Sequence, residues 1–293
     1  MEVLLYVVRA FCRKGKGGNL AGVVIIDESL SSFQMQSLAA ALKFSETVFL
    51  SKRIDGGGYK ALYFTPNAPI DFCGHASIAA FEVLRQLKSL VEGLYLLETP
   101  AGLCEITIAK SLIYVSQSLP RFEEEVLEEE IAAVLGVSAE EIRETHLRPQ
   151  VVSTGLRDII VPVMSRECLF AIEPKYDEIT RLSEKYDVVG LHVFSLASLN
   201  SSGSAHCRNF APRYGIPEES ATGSSNGALA CYLFHNRVFL SNPEKTLLFK
   251  QGDTLKMPSD IHVRLNIREN KIMRVECGGE VVIEDRKKVV LQE

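Results

Sequence analysis

One sequence pattern occurs twice in this chain, and it constrains the fold more than any other feature. The first copy, FTPNAPIDFCGHASIAAFEVL, spans residues 64–84, and the second, FAPRYGIPEESATGSSNGALACYL, spans residues 210–233. Each copy runs from Phe-x-Pro through a Pro-rich segment with a carboxylate into a helix of small residues, which it enters at Gly74 or Gly223. A repeat this long does not fit a solenoid. It predicts two related halves, each a mixed β-sheet around one tightly packed helix.

The rest of the chain favours many short strands with a few helices between them. Segments rich in β-branched and aromatic residues recur, separated by Gly, Asn and Asp turns. Helical spacing or small-residue composition predicts four helices, over residues 30–42, 76–87, 122–135 and 225–236. The first of these follows Asp27 and Ser29. The segment SAEEI from Ser138 predicts a further helix start, because a capping serine precedes acidic residues.

Composition excludes several classes of function. The chain has 293 residues, 46% hydrophobic content and a net charge of −5, which argues against a nucleic-acid-binding surface. No apolar run reaches the roughly 18 residues of a membrane-spanning helix, so we expect no membrane partner. The seven cysteines form no CxxC pair and are odd in number, which favours reduced thiols in a cytoplasmic protein. No spacing of histidines and cysteines predicts a metal site.

The two turns at Gly74 and Gly223 predict where a ligand binds. A helix N-terminus presents free backbone N–H groups and a partial positive charge, and therefore attracts anions. If the two halves face each other, both helix N-termini point into one cleft. We expect that cleft to hold a small molecule that carries a carboxylate.

Residues with proton-transfer chemistry lie close to both turns. Glu46 begins a strand, and His75 lies in the first turn of a helix, where the helix N-terminus is expected to lower its pKa and keep it neutral. Glu218 and Glu219 precede the second turn, and Ser224 opens its helix. Each has a structural alternative, since acidic residues near helix starts often act as caps and a single histidine is often a packed residue.

The order of these motifs resembles a known family. The segments are GNLAGVV (18–24), FSETVFL (44–50), FTPNAPIDFCGHAS (64–77), STGLRDIIVPV (153–163) and RNFAPRYGIPEESATGSSNGALACYL (208–233). In this combination and order they resemble the PhzF-like isomerases of phenazine biosynthesis. That family belongs to the diaminopimelate epimerase and proline racemase superfamily, and the resemblance covers nearly the whole chain.

The resemblance implies an α+β, diaminopimelate epimerase-like fold of two pseudo-symmetric halves. The N-terminal half would comprise residues 1–118 plus about 279–293, with VVIEDRKKVVL as its returning last strand, and the C-terminal half residues 119–278. It also implies an active site without cofactor or metal in the cleft between the halves, and a homodimer.

The resemblance implies roles for individual residues. The general acid/base glutamate falls on Glu46, the motif histidine on His75 and the motif serine on Ser224. The second acid, usually aspartate, falls on Glu219, a longer side chain whose role is therefore in doubt. The usual Gly-Asn-Pro reads Gly-Asn-Leu at 18–20. The residues assigned to substrate binding are Asn19, Cys73, Gly74, Gly223 and Ser225.

These observations favour a cofactor-independent isomerase of a small carboxylate-bearing metabolite. Burial is expected to raise the pKa of Glu46 so that it can transfer a proton near neutral pH. One alternative is a racemase or epimerase that uses Cys73, but the second turn contains no thiol to act on the opposite face. The simplest interpretation of Cys73 is then a packing residue. Another alternative is a non-catalytic ligand-binding protein with the same fold.

Overall fold

The computed structural model describes residues 2–26, 30–53, 56–196, 205–238 and 246–290. The chain forms two compact units. The first comprises residues up to Ser116 together with Gly278 onward, and the second comprises Gln117–Cys277. The resemblance of the sequence predicts that the N-terminal half ends at residue 118 and resumes at about residue 279.

Among the described residues, the first unit contains eight strands of its own, two helices and part of the last strand of the chain. In chain order they are β1 (Glu2–Cys12), β2 (Asn19–Ile25), α1 (Ser32–Leu42), β3 (Glu46–Lys52), β4 (Tyr59–Phe64), β5 (Pro69–Ile70), α2 (Gly74–Lys88), β6 (Gly93–Thr99), β7 (Gly102–Ala109) and β8 (Leu112–Gln117).

The second unit has a larger set of helices. Its elements are β9 (Arg121–Glu125), α3 (Glu128–Leu135), α4 (Ala139–Arg143), β10 (Gln150–Ser153), β11 (Arg157–Pro162), α5 (Arg166–Ala171), α6 (Tyr176–Lys185), β12 (Gly190–Leu196), β13 (Ala205–Ala211), a 3₁₀ turn (Pro212–Tyr214), β14 (Ile216–Glu219), α7 (Gly223–His235), β15 (Thr246–Gln251) and β16 (Ser259–Arg268). The last strand, β17 (Lys271–Val290), begins in this unit and continues into the first, where it pairs antiparallel with β1.

The internal repeat is visible in the strand pairing of each unit. In the first unit β1–β2 is antiparallel, β2–β3 parallel, β3–β4 antiparallel, β4–β6 parallel and β6–β7 antiparallel. In the second unit β10–β11, β11–β12, β12–β13, β13–β15 and β15–β16 follow the same five directions in the same order. Each unit is thus a mixed sheet, and the predicted α+β fold of two similar halves is confirmed.

Each sheet surrounds one buried helix, which is the helix that the repeat predicted. In α2 every residue from His75 to Leu84 is buried, and in α7 every residue from Ser225 to Leu233 is buried. A helix that is buried on all sides needs small residues where its neighbours approach. At Gly227 a Cβ atom would lie 1.9 Å from Oε1 of Gln117, so the alanine-, serine- and glycine-rich composition follows from the packing.

The helix predicted over residues 122–135 is only partly correct. Residues 121–125 form β9, which pairs antiparallel with β10, and the helix begins only at Glu128. The side chains of residues 122–125 also fit a helical pattern. The segment forms a strand because β10 provides hydrogen-bond partners for its backbone. The first predicted helix begins at Ser32 with Ser31 as N-cap, and Asp27 and Ser29 lie outside the described residues. The helix start at Ser138 is confirmed by its capping box with Glu141.

The helices are short in relation to a lipid bilayer. Among the described residues, none of the helices has both the length and the apolar character that a transmembrane segment requires.

Candidate active site

The first turn brings together side chains from two elements of the first unit. Glu46 is the first residue of β3, which runs parallel to β2, and Cys73 and His75 flank the start of α2. Cys73 occupies the N-cap position without capping the helix through its side chain. The Ser77 hydroxyl donates to the carbonyl oxygen of Cys73 at 2.7 Å, which fixes the turn.

Glu46, Cys73 and His75 form a tight cluster. Nε2 of His75 lies 3.1 Å from Oε2 of Glu46, and Nδ1 of His75 lies 3.4 Å from Sγ of Cys73. All three side chains are largely buried, with 8% of the His75 side chain and 15% of the Glu46 side chain exposed. The structure thus places a carboxylate, an imidazole and a thiol in mutual contact at a helix N-terminus.

The electrostatics of this cluster correct two sequence-based expectations. Burial by itself would raise the pKa of Glu46, but the contact with His75 outweighs it and the pKa lies below its usual value. Burial by itself would lower the pKa of His75, but Cys73 and Glu46 raise it well above its usual value. Burial raises the pKa of the Cys73 thiol, although the contact with His75 partly offsets this. The cluster therefore favours a Glu46 carboxylate beside a protonated His75, because the contacts among the three side chains outweigh burial.

This charge state predicts the titration of His75. Its pKa should lie well above 6.5 in the folded protein, and Glu46→Gln should lower it, because the opposing charge is lost. A histidine whose pKa is raised on folding stabilises the protein below 6.5, and this contribution is lost as the pH rises through the folded-state pKa. NMR titration of the imidazole signals measures both values, and the signals of the other histidines serve as the control. An unchanged His75 signal in Glu46→Gln would contradict the ion pair.

The second turn has a different set of groups. The Thr222 hydroxyl donates to Oε2 of Glu219 at 2.6 Å, and Nε2 of Gln251 donates to the Glu219 carbonyl and the Thr222 hydroxyl at 2.8 and 3.0 Å. Gln117 donates to the Gly223 carbonyl at 2.9 Å. Ser224 is half-buried, and its carbonyl accepts a hydrogen bond from the Thr154 hydroxyl. These bonds hold the start of α7 and the Glu219 side chain in fixed positions.

Ser225 points into the interior of the second unit. Its hydroxyl donates to Oδ2 of Asp158 at 2.6 Å and accepts from Asn209 at 3.2 Å. Asn209 also contacts Nδ1 of His192 at 3.2 Å, and Nε2 of His192 contacts Asn226 at 3.3 Å. The Ser225 hydroxyl is thus engaged within the protein, and the substrate-binding prediction for this residue stays a prediction for its backbone N–H alone.

The sequence analysis missed the residues behind the second turn. Asp158 lies in the STGLRD segment, where its carboxylate could have been noted, but Asn209, His192 and Gln251 carry no local signal. Their contacts join strands β11, β12, β13 and β15 to helix α7. Only the sheet order brings these side chains together.

The buried carboxyl group of Asp158 makes the stability of the second unit depend on pH. Burial raises its pKa from 3.8 to about 6, although hydrogen bonds from Ser225 and the Gly190 backbone partly offset this. The folded state therefore holds a proton between these pH values that the unfolded state has lost. Stability falls across this window by about 3 kcal/mol and then stays level. Asp158→Asn has no carboxyl group to titrate at this position. The free energy of unfolding of the variant minus that of wild type should therefore increase by about 3 kcal/mol between about pH 4 and 7, as measured by denaturant unfolding. If the difference in free energy of unfolding between variant and wild type did not change with pH, the raised pKa of Asp158 would be contradicted.

The chain as a whole matches a known protein family. The family model described as phenazine biosynthesis-like protein, PhzC-PhzF, matches residues 8–286. The chain belongs to the PhzF family. An uncharacterized isomerase of Deinococcus radiodurans is 33% identical over 94% of this chain and 91% of its own length. The family resemblance of the motifs is therefore confirmed, and the protein is an isomerase.

Solved structures support the fold of this PhzF-family protein. A phenazine biosynthesis protein of the PhzF family from Bacillus anthracis superposes with a TM-score of 0.88 at 23% identity, covering 99% of this chain and 100% of that one. A hydroxyproline epimerase from Agrobacterium vitis, solved with bound trans-4-hydroxy-L-proline, has a TM-score of 0.62 at 14% identity and covers 98% of this chain and 92% of that one. The shared fold is that of the PhzF and proline racemase group.

The PhzF-family chain departs from the usual Gly-Asn-Pro motif without losing the turn. Gly18 has a φ of +77°, and a Cβ there would lie 2.4 Å from the Ala10 carbonyl oxygen, so glycine is required. Asn19 and Leu20 pair with Ala10 and Arg9 of β1. In the usual motif a proline restricts the backbone after the turn. Here Leu20 stands at that position, and its pairing with β1 orders the backbone. The substrate-binding role assigned to Asn19 stays a prediction.

Proposed function

We propose that this protein moves a proton between two carbons of a small carboxylate-bearing metabolite, with Glu46 as the acid/base and without a cofactor. The observation that carries the proposal is the buried contact between the Glu46 carboxylate and His75, 3.1 Å apart at the start of α2. Because its pKa lies below the usual value, Glu46 is ionised at neutral pH, which is the state that a proton acceptor requires. The isomerase relatives support the same reaction class.

The proposed reaction is a balanced internal transfer. Glu46 takes a proton from carbon, the C–H electron pair moves into the adjacent unsaturated system, and Glu46 returns the proton to the other end of that system. One C–H bond breaks, one forms and a double bond migrates, so no electrons are gained or lost. Because the Glu46 carboxylate is a weak base, the substrate carbon must already be acidified by conjugation. This favours an unsaturated acid over a simple amino acid.

The remaining groups would bind and orient the substrate. The first N–H groups of α2, around Gly74 and His75, have no partner within the helix and suit a carboxylate. A Cβ at Gly74 would contact the Val115 side chain at an ordinary distance of 3.7 Å, so lack of space does not require glycine at this turn. The same role is predicted for Gly223 and Ser224, and Glu219 is predicted to hold an amino or hydroxyl group. Charge that develops in the transition state would be stabilised by these donors.

The alternative of a Cys73-dependent racemase has less support. A cysteine acts as a base only as thiolate, and burial raises the pKa of the Cys73 thiol. A two-base mechanism also needs an acid on the opposite face of the carbon, and the second turn contains Ser220 and Thr222 in place of a thiol. These features favour proton transfer by Glu46 alone.

Deuterium incorporation tests the proposal. Wild type, Glu46→Gln and Cys73→Ser are incubated in D₂O with a panel of unsaturated, cyclic and acyclic carboxylic acids, and products are followed by mass spectrometry. We expect exchange in wild type that requires Glu46 and persists in Cys73→Ser. Exchange that survives Glu46→Gln and is lost in Cys73→Ser would establish the racemase. Ligand binding without exchange across the panel would contradict the proposed proton transfer.

Two further expectations also stay predictions. The resemblance implies a homodimer, which light scattering coupled to size-exclusion chromatography measures directly. The cysteine composition implies a cytoplasmic protein, which fractionation of the source cells checks.

A further inference from the structure

We propose that Glu46, Cys73 and His75 form a binding site for Zn²⁺, and that zinc bound there inhibits the protein. This differs from the sequence analysis, in which no local spacing of residues predicted a metal. Among the described residues, the carboxylate, thiol and imidazole donor atoms of these three side chains all lie within 4.8 Å of one another. The inhibition rests on the proposed role of Glu46, whereas the binding of zinc does not.

Two of the three distances between donor atoms are already close to tetrahedral spacing. Zinc–ligand distances of about 2.0–2.3 Å place neighbouring ligand atoms of a tetrahedral site about 3.3 Å apart for nitrogen and oxygen, and about 3.6 Å apart for nitrogen and sulfur. Nε2 of His75 lies 3.1 Å from Oε2 of Glu46 and 3.9 Å from Sγ of Cys73. These two distances need to change by only a few tenths of an ångström. The Glu46 oxygen and the Cys73 sulfur lie within 4.8 Å of each other, so a modest movement of the side chains would let one ion contact all three.

The donor set selects the ion. One sulfur, one nitrogen and one oxygen ligand suit Zn²⁺, whereas Mg²⁺ and Ca²⁺ require several oxygen ligands. Zinc binding would release the thiol proton of Cys73 and the second imidazole proton of His75 to solvent. With Cys73 as thiolate, Glu46 as carboxylate and His75 neutral, the two anions balance the charge of a divalent ion. The complex is then neutral in a buried environment, which removes the main cost of placing an ion there. Three protein ligands leave a fourth position for water.

Zinc would replace the contact between Oε2 of Glu46 and His75 without breaking a well-formed hydrogen bond. Oε2 of Glu46 is buried and makes no hydrogen bond of good geometry among the described residues, although His75 Nε2 is close to it. The Glu46 and His75 side chains are both slightly exposed, so solvent reaches the cluster. Zinc would occupy the lone pair with which Glu46 is proposed to accept a proton, and the reaction would stop.

Cobalt absorption tests the binding without any substrate. Co²⁺ substitutes for zinc, and a cysteine ligand produces thiolate-to-cobalt charge transfer in the near ultraviolet. The reduced full-length protein is titrated with Co²⁺, and the cobalt is then displaced with Zn²⁺. We expect one equivalent of cobalt with this band, and we expect Cys73→Ser to abolish it. His75→Gln should weaken the affinity for cobalt at least about 10-fold. Cys104→Ser is the matched control, because Cys104 is a half-buried thiol outside the cluster, and it should keep the band.

The outcomes separate the two proposals. A band that is absent from wild type, or that persists in Cys73→Ser, would overturn the zinc site whatever the catalytic result. Circular dichroism confirms that each variant is folded, and zinc should raise the thermal midpoint of wild type but not of Cys73→Ser. A missing midpoint shift in wild type would also count against the site. If cobalt binds as expected but deuterium exchange never occurs, the zinc site stands and the proposed isomerisation fails.

Discussion

Replacing Glu46 with Gln should lower kcat of the isomerisation by about 10²- to 10⁴-fold, the usual contribution of a general acid/base. The substitution preserves the size of the side chain but removes its negative charge and its ability to accept a proton. Substrate affinity should change little, since the proposed carboxylate-binding groups are backbone N–H groups of α2. The measurement is a comparison of kcat, KM and deuterium exchange, with the substrate taken from the exchange panel.

Glu98→Gln is the matched control for this substitution. Glu98 is another carboxylate of the first unit, but it pairs with Arg53 and Lys60 and its side chain is 39% exposed. Its loss should leave kcat unchanged, because exposed pairs contribute little. A Glu46→Gln protein with kcat within a few-fold of wild type would show that another group transfers the proton.

Replacing Glu218 with Ala should destabilise the second unit by about 3–5 kcal/mol. Nε and Nη2 of Arg208 donate to the two carboxylate oxygens of Glu218 at 2.9 and 2.8 Å, and each side chain is only 7% exposed. Nη1 of Arg208 donates to the carbonyl oxygens of Leu169 and Ile172, so the arginine cannot easily move to solvent. The variant would leave a buried positive charge without its partner. Thermal and denaturant unfolding measure the loss.

Glu219→Ala provides the comparison at the next position. It removes the acceptor of the Thr222 hydroxyl and should cost about 1 kcal/mol, the usual value of one hydrogen bond. If Glu219 contacts the substrate as predicted, the main effect of Glu219→Ala should be a higher KM or a lower kcat, and not a loss of stability. Equal destabilisation by the two substitutions would contradict the assignment of Glu218 to structure and Glu219 to the site.

The fold was largely predictable because the repeat is a local signal that occurs twice. Each copy of the repeat consists of Phe-x-Pro, a loop with a carboxylate and a helix of small residues, and all three can be recognised from neighbouring residues. Helices α2 and α7 begin at the glycines that the repeat indicated. The helix predicted over 122–135 failed for a non-local reason. Residues 121–125 satisfy their backbone by pairing with β10, which no pattern within the segment reveals.

The site was predictable in its membership but not in its chemistry. Motifs indicated Glu46 and His75 individually, and Cys73 was assigned to packing and substrate binding. The pKa directions are the reverse of those expected, since the contacts among Glu46, Cys73 and His75 outweigh the effect of burial. The same contact creates a donor set for zinc from residues that have no metal-binding spacing in the sequence.

The sequence by itself determined the family, the α+β fold of two similar halves and the turns that carry the candidate residues, because these depend on short-range patterns of residue type. Only the tertiary structure decided the partners of each charge. It paired Glu46 with His75, buried Ser225 against Asp158 and bound Glu218 to Arg208 while its neighbour Glu219 accepts a hydrogen bond from Thr222. A pKa depends on the charges and the solvent within a few ångströms, and strand pairing brings those neighbours from distant parts of the chain.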